Sequence, residues 1–333
     1  MSWNVLITAP AIAETGTAAL ELLRSAGCEI AMPLLTVPLT GDTLREMLSG
    51  RDAVFAGIET FSAVILESTS ASRLKIISRW GVGLDSVDVA AATRLGITVS
   101  IARGLLDEAV ADYTFGLLLT LARQIPTGHA SVQAGEWKQT WGCDVHGRTL
   151  GLIGCGGIGR AVARRAAGFG LRVIAYDPSR NAASARQIEF VPLDHLLAES
   201  DFISLHAAVA PGTRALIGEA QLRKMKSSAL LINTARGALM DEAALVRALH
   251  EGWIAGAALD VFITEPLPAD NPLRAAPNLI LTPHQASFAR KTGEQVSLAA
   301  AQSIVNLMQG RRPDSVVNPE VFQSPTLRAP LRP

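Results

Sequence analysis

Residues Thr149–Pro178 read TLGLIGCGGIGRAVARRAAGFGLRVIAYDP, and few chain folds accommodate that order. An apolar run through Leu150, Leu152 and Ile153 meets Gly154, Gly156 and Gly159. An alanine-rich amphipathic segment follows, then a second apolar run that ends at Asp177. This is strand, glycine turn, helix, strand, with the G-x-G-x-x-G spacing of a dinucleotide-binding βαβ unit. Gly154 permits the tight turn, Gly156 lets backbone approach a pyrophosphate, and Gly159 lets helix and strand pack closely. The helix starts near Ile158, just after Gly157, and its unpaired N–H groups and positive dipole end suit phosphate. An isolated G-x-G-x-x-G arises by chance. Here a strand precedes it, a helix follows, and an acid stands where a carboxylate accepts the ribose hydroxyls. Asp177 therefore predicts NAD(H) in preference to NADP(H), with Arg180 nearby to soften the preference.

A chain of 333 residues predicts two domains. Thirty basic residues balance thirty acidic ones, so no net charge draws the protein to nucleic acid or to a membrane surface. No leading run has the length or apolarity of a signal peptide or membrane span. Cys28, Cys143 and Cys155 lack metal-ligand spacing and fit a reducing, cytoplasmic setting; no metal site is expected.

The first hundred residues alternate strands (Val5–Thr8, Asp52–Gly57, Leu74–Ser78, Ile97–Ser100) with helices (Glu14–Ala26, Asp88–Leu95). That pattern belongs to a parallel sheet wrapped by helices. The phosphate fingerprint comes only later, so this unit is a separate α/β domain. Leu105–Arg123 is apolar on most faces and reads as a buried connector helix. Gln124–Gly147 carries Trp137 and Trp141 without a clear period, and reads as an arm covered by a second copy of the chain. Beyond Asp177, strands are expected at Asp201–His206, Ala229–Thr234, Ala255–Asp260 and Leu279–Thr282, and helices at Asp241–Glu251 and Gly293–Gln309. The last helix lies beyond the cofactor domain and is free to return to the first one. The fold class is therefore α/β, with two doubly wound, Rossmann-like parallel-sheet domains. The cofactor domain (102–285, with arm 124–147) is inserted in a discontinuous substrate domain (1–101 and 286–318). A proline-punctuated tail, 319–333, is expected to be loosely ordered.

In open α/β sheets ligands lie beyond the carboxyl ends of strands. Those ends carry Thr234, Ala235 and Arg236, then Asp260 with Glu265 beyond, then His284. Taken singly, each has a bland reading as ion pair, turn or loop residue. Together, on successive strand ends, they form a catalytic set. Arg236 offers a planar two-pronged donor to a carboxylate or carbonyl. His284, oriented by Glu265 and biased towards its protonated form, supplies or removes a proton. His206 ends a strand near the glycine loop and reads as lining; His129, His146, His195 and His250 read as surface.

The sequence resembles the D-isomer-specific 2-hydroxyacid dehydrogenases, a family that includes D-3-phosphoglycerate dehydrogenases and hydroxypyruvate reductases. The resemblance runs through ISRWGVGLDSVD (Ile77–Asp88), the glycine fingerprint, LLINTARGALMDEAAL (Leu230–Leu245), AALDVF…EP (Ala257–Pro266) and LTPH (Leu281–His284). It implies a homodimeric NAD-dependent oxidoreductase interconverting a small D-2-hydroxy acid and its 2-oxo acid. Arg236, Glu265 and His284 would be catalytic. Asp260 would lie beside the nicotinamide, with Thr213, Thr234, Ala235, Arg236 and His284 among the cofactor contacts. The backbone at Trp80, Gly81, Val82 and Gly83 would hold the substrate carboxylate, with Arg236 and His284.

Several positions depart from the family pattern: Ile101–Gly104, which contains Arg103; Gln285–Ser287; and Ala56. Ala56 stands where phosphoglycerate enzymes carry a phosphate-binding Arg, which favours hydroxypyruvate or glyoxylate over phosphoglycerate. Two other readings remain. One is a phosphite or formate dehydrogenase on the same fold, although formate enzymes replace the acid with Gln. The other is an NAD(H)-sensing transcriptional co-regulator.

Overall fold

The computed structural model describes residues 2–33, 39, 41–179, 188–209 and 215–332. Its chain divides into two compact units, 1–106 with 288–333, and 107–287. The boundaries fall slightly past those expected at 101 and 285. Residues just after the fifth strand still belong to the first unit, where Ala102 N–H donates to Gly81 O at 2.9 Å.

The first unit contains β1 (Asn4–Ile7), β2 (Glu29–Ala31), β3 (Ala53–Ala56), β4 (Ile76–Arg79) and β5 (Thr98–Ser100). They pair in parallel in the order β2-β1-β3-β4-β5. β3 and β4 are buried throughout, as strands covered on both faces must be. The expected helix at 14–26 is two helices, Ile12–Thr15 and Thr17–Ser25, divided at Gly16. Asp88 caps the helix Val89–Arg94 by accepting the Ala91 N–H at 2.8 Å, a contact worth about 1 kcal/mol. The long helix Arg290–Met308 does return to this unit. Ser78 Oγ donates to Ala300 O at 2.9 Å and Trp80 Nε1 to Ser297 Oγ at 3.0 Å.

The tail is not loose. Asn318 is fully buried, accepting Val99 N–H and donating to Ile97 O, both at 2.9 Å. Pro319–Gln323 forms a 3-10 turn, and Arg328 donates to Ala71 O and Leu74 O at 2.6 and 3.0 Å. The prolines shape an ordered strap because Asn318 and Arg328 satisfy carbonyls at strand and helix ends.

The second unit contains β6 (Thr149–Ile153), β7 (Arg172–Tyr176), β8 (Glu189–Phe190), β9 (Phe202–Leu205), β10 (Leu230–Asn233), β11 (Gly256–Leu259) and β12 (Leu279–Leu281). All pair in parallel, in the order β12-β11-β10-β9-β6-β7-β8. Alternate side chains face opposite cores, as the two-residue period of a strand requires. Leu230 and Ile232 join Phe115 and Leu118 from the connector helix Asp107–Ala122, whereas Leu231 joins Leu222 and Leu245. The chain enters β9 from the outer strand β8 and lands beside β6, so the strand order reverses there. That switch leaves a crevice at the carboxyl ends of β6 and β9.

The arm differs from expectation at its start. Ile125–Gln133 is a helix with Pro126 in its first turn, a position that tolerates proline. Only Ser131 of this helix is buried, which is why no apolar period was visible in the sequence. Trp137 and Trp141 follow in irregular chain and are 84% and 99% exposed.

Candidate active site

At the carboxyl end of β6, Gly154 takes a left-handed φ of 93°. A Cβ there would lie 2.6 Å from the backbone of His206 and Ala207, so only glycine lets the loops after β6 and β9 close on each other. Gly159, inside the helix Gly157–Gly168, permits a similar approach to Gly154 O. Gly156 caps that helix, and a Cβ built on it would meet nothing within 4 Å. The first N–H groups of that helix, from Gly157 and Ile158, have no acceptor within the helix and stand beside open space at Gly156.

Asp177 stands beside the glycine turn. Its Oδ2 accepts the Cys155 N–H at 2.8 Å, and its Oδ1 accepts Ser179 N–H and Oγ–H at 2.9 and 2.6 Å. Burial raises its pKa, but these donors and the Arg160 charge outweigh burial and hold the carboxyl below its ordinary value. The residues present therefore fit a dinucleotide. Thr213 and Arg180 lie outside the described residues. His206 Nε2 shares a 2.9 Å hydrogen bond with Ser204 Oγ, and burial pushes the imidazole pKa down to about 3, leaving it neutral. Asp107, which the sequence reading did not single out, brings its carboxylate against Gly157, where a Cβ would sit 2.0 Å from Oδ2.

The turn after β10 is built by Asn233, another residue that the sequence reading passed over. Its Oδ1 accepts Ala235 N–H at 3.0 Å and its Nδ2 donates to Arg236 O at 2.9 Å, so one buried amide fixes the turn at both ends. Thr234 bonds Thr114 across 3.0 Å; Thr114 donates its own proton to Val110 O, so Thr234 is the donor between the two hydroxyls. Arg236 is half-buried and bonds Ala235 O through one terminal nitrogen at 2.7 Å. Gly237 then passes so close to Phe262 that a Cβ would fall 2.0 Å from its carbonyl carbon. That approach draws the turn after β11 towards Arg236.

Asp260 directly follows β11 and is wholly buried. Oδ1 accepts from Thr282 Oγ1 at 2.7 Å and Gln285 N–H at 3.0 Å, and Oδ2 accepts from Ala286 N–H at 2.8 Å. Its carboxylate thus organises the segment that carries His284. Burial raises the Asp260 pKa more than these donors lower it. His284 itself has a left-handed φ of 50°, held by its N–H donating to Asp260 O at 2.8 Å.

Glu265 completes the group. Oε1 accepts Phe262 N–H at 2.9 Å, and Oε2 accepts from His284 Nδ1 at 2.6 Å. Burial raises the Glu265 pKa, but the His284 hydrogen bond and charge, the Phe262 N–H and the Arg236 charge prevail, holding it below the ordinary carboxylate value. The electrostatics couple Arg236, Glu265 and His284, the three side chains that the sequence marked. Among the described residues, no group of three or more His, Cys, Asp or Glu side chains is arranged to hold a metal ion.

In the first unit, Trp80 follows β4. Its N–H donates to Ala56 O at 2.8 Å, and its ring lies 5.4 Å from that of Phe288. Gly81, Val82 and Gly83 are half-buried, and Ala56 ends β3 with no exposure.

Residues 115–286 match the family model for the NAD-binding domain of D-isomer-specific 2-hydroxyacid dehydrogenases. A glyoxylate reductase of Korarchaeum cryptofilum is 45% identical over 262 residues, 76% of this chain and 79% of that protein. The chain belongs to the D-isomer-specific 2-hydroxyacid dehydrogenase family. A D-3-phosphoglycerate dehydrogenase of Methanocaldococcus jannaschii is 42% identical over 84% of this chain and 54% of that longer protein. Among solved structures, a glyoxylate reductase from Paecilomyes thermophila superposes with a TM-score of 0.84 at 31% identity, covering 96% of this chain and 99% of that one. As a D-2-hydroxyacid dehydrogenase, the chain is an oxidoreductase with an NAD-binding domain that interconverts a 2-hydroxy acid and a 2-oxo acid. Among the described residues, no helix is long and apolar enough to cross a membrane.

Proposed function

We propose that this dehydrogenase reduces a small, unphosphorylated 2-oxo acid, glyoxylate or hydroxypyruvate, with NADH. The observation that carries this reading is the 2.6 Å contact between Glu265 Oε2 and His284 Nδ1, beside Arg236 at the carboxyl edge of the second sheet. When bound, NADH supplies a hydride to the carbonyl carbon. The glycine turn at Gly154, with Gly156–Gly159, receives the pyrophosphate; Asp177 receives the adenosine ribose, and its charge disfavours a 2′-phosphate. His206 lines this region as a neutral ring, with Thr234 and Ala235 further along the edge. Arg236 holds the substrate carboxylate and polarises the carbonyl. With its Nδ1 proton committed to Glu265, His284 delivers the second proton from Nε2 to the forming hydroxyl, and recovers it in the oxidative direction. Asp260 serves the cofactor side through the loop it organises.

The first unit holds the substrate carboxylate on the Trp80–Gly83 backbone. Ala56 brings no cation to that edge, which favours unphosphorylated acids. Two copies of the chain associate through the arm bearing Trp137 and Trp141, whose exposure supports the assignment. The three free cysteines support a cytoplasmic location. The test follows NADH absorbance, its loss with glyoxylate, hydroxypyruvate or 3-phosphohydroxypyruvate supplied in turn, and its gain from NAD with formate or phosphite. Turnover with glyoxylate or hydroxypyruvate is expected. Preference for the phosphorylated acid, or turnover with formate or phosphite only, overturns the reading.

A further inference from the structure

Arg79 is the last residue of β4 and only 6% exposed, a rare position for a guanidinium. One terminal nitrogen donates to Gly57 O at 2.6 Å; the other donates to Gly83 O. Gly57 begins the loop after β3, and Gly83 ends the Trp80–Gly83 segment after β4. A single planar cation therefore clamps two neighbouring strand-end loops. Glu59, 7% exposed, completes the clamp by accepting the Gly57 N–H at 2.9 Å. Gly57 is thus held by an anion at its N–H and a cation at its carbonyl. A Cβ on Gly57 would lie 3.2 Å from Ala9 Cα and 3.3 Å from Thr8 O, so the loop after β1 closes on it as well.

We infer that Arg79 is a positioning residue for the substrate carboxylate. This role rests on the reading of Trp80–Gly83 as the backbone that receives that carboxylate. The guanidinium bonds two carbonyls, so it acts through the loop and does not touch the substrate. Holding the Gly83 carbonyl fixes the Gly83–Leu84 peptide plane and so anchors the end of the segment whose N–H groups receive the carboxylate. Its buried positive charge also favours an anion above the loop, where low polarity strengthens the interaction. A lysine cannot replace it fully, because a compact ammonium lacks the fork that spans two acceptors.

The test compares Arg79→Gln and Arg79→Lys with the parent in NADH-dependent glyoxylate reduction. It also measures inhibition by oxamate, an unreactive 2-oxo acid analogue, and NADH affinity by fluorescence. Arg79→Gln is expected to raise the glyoxylate KM and the oxamate inhibition constant together by about ten- to hundredfold, the scale of one charged hydrogen bond. Its kcat and NADH Kd should stay within about threefold of the parent on the same scale. Arg79→Lys should recover part of the loss, and it carries the test alone if Arg79→Gln fails to fold. Parental KM and oxamate inhibition in a folded Arg79→Gln or Arg79→Lys protein would overturn the role. So would parallel losses in KM, kcat and NADH affinity, which mark general damage. A parent that reduces no 2-oxo acid overturns the functional reading and this role with it; an active parent with indifferent Arg79 variants overturns this role only.

Discussion

Glu265 Oε2 and His284 Nδ1 lie 2.6 Å apart although they belong to the loops after two different strands, β11 and β12. The carboxyl is held below its ordinary pKa, so Glu265 is anionic across the whole range in which such an enzyme is assayed. An anion at Nδ1 stabilises the imidazolium that donates the proton. Replacement by an amide keeps an acceptor but removes the charge. Glu265→Gln should lower reductive kcat by about tenfold, short of the 10²–10⁴ expected for losing the acid itself. The alkaline limb of the reductive pH profile should move to lower pH. An unmoved limb would show that the carboxylate only orients the ring.

His206 predicts an acid-dependent stability. Its folded pKa is depressed from 6.5 to about 3 by burial, so the unfolded chain binds the extra proton first. The contribution is fully present above pH 6.5 and is lost as pH falls towards 3. Between pH 8 and pH 5 the loss amounts to about 2 kcal/mol. Urea unfolding at both pH values should show a parent-minus-variant difference of that size for His206→Gln, which cannot take up the proton. Equal pH dependence in both proteins would mean that the ring is hydrated.

Asp177 predicts the choice of cofactor. Both carboxylate oxygens are already fixed by Cys155 and Ser179, so the charge has little freedom to turn from a 2′-phosphate. The parent should favour NADH over NADPH in kcat/KM by about ten- to hundredfold, and Asp177→Asn should narrow the gap mainly by weakening NADH. Equal efficiency with both cofactors in the parent would show that Asp177 does not face the ribose.

The arm predicts assembly. Trp137 and Trp141 are the two most exposed large apolar side chains among the described residues. Light scattering at micromolar concentration should give twice the mass of one chain, and Trp137→Ser with Trp141→Ser should shift the protein towards monomer. A parent that scatters as a monomer, with both indoles open to acrylamide quenching, would contradict the dimer.

The strands and the reacting side chains were legible for a shared reason. Runs such as Leu230, Leu231 and Ile232 are continuously apolar because both sheet faces are covered, and ligands gather where such runs end. Arg236, Glu265 and His284 could therefore be found by reading only the residues just past each strand. The groups that hold them were not legible. Asn233 acts on backbone atoms of the Arg236 turn, as Arg79 does on loops of the first unit, and a turn's hydrogen bonds carry no periodic signal. The same holds for the tail, where Asn318 and Arg328 bond carbonyls distant in sequence. The helix Ile125–Gln133 escaped because its apolar residues, Ile125 and Val132, face outward.

The proton donor is the part of the proposal open to the most direct measurement: single-turnover oxidation of NADH with saturating glyoxylate, in the parent and in His284→Ala. With chemistry verified as rate-limiting by a deuteride isotope effect, His284→Ala should slow the turnover by about 10²–10⁴-fold. The NADH Kd should hardly change, because the proposed pyrophosphate and ribose contacts lie at Gly154–Gly159 and Asp177. Near-parental turnover in a folded His284→Ala protein, with the isotope effect retained, would contradict the mechanism and leave His284 as part of the loop alone.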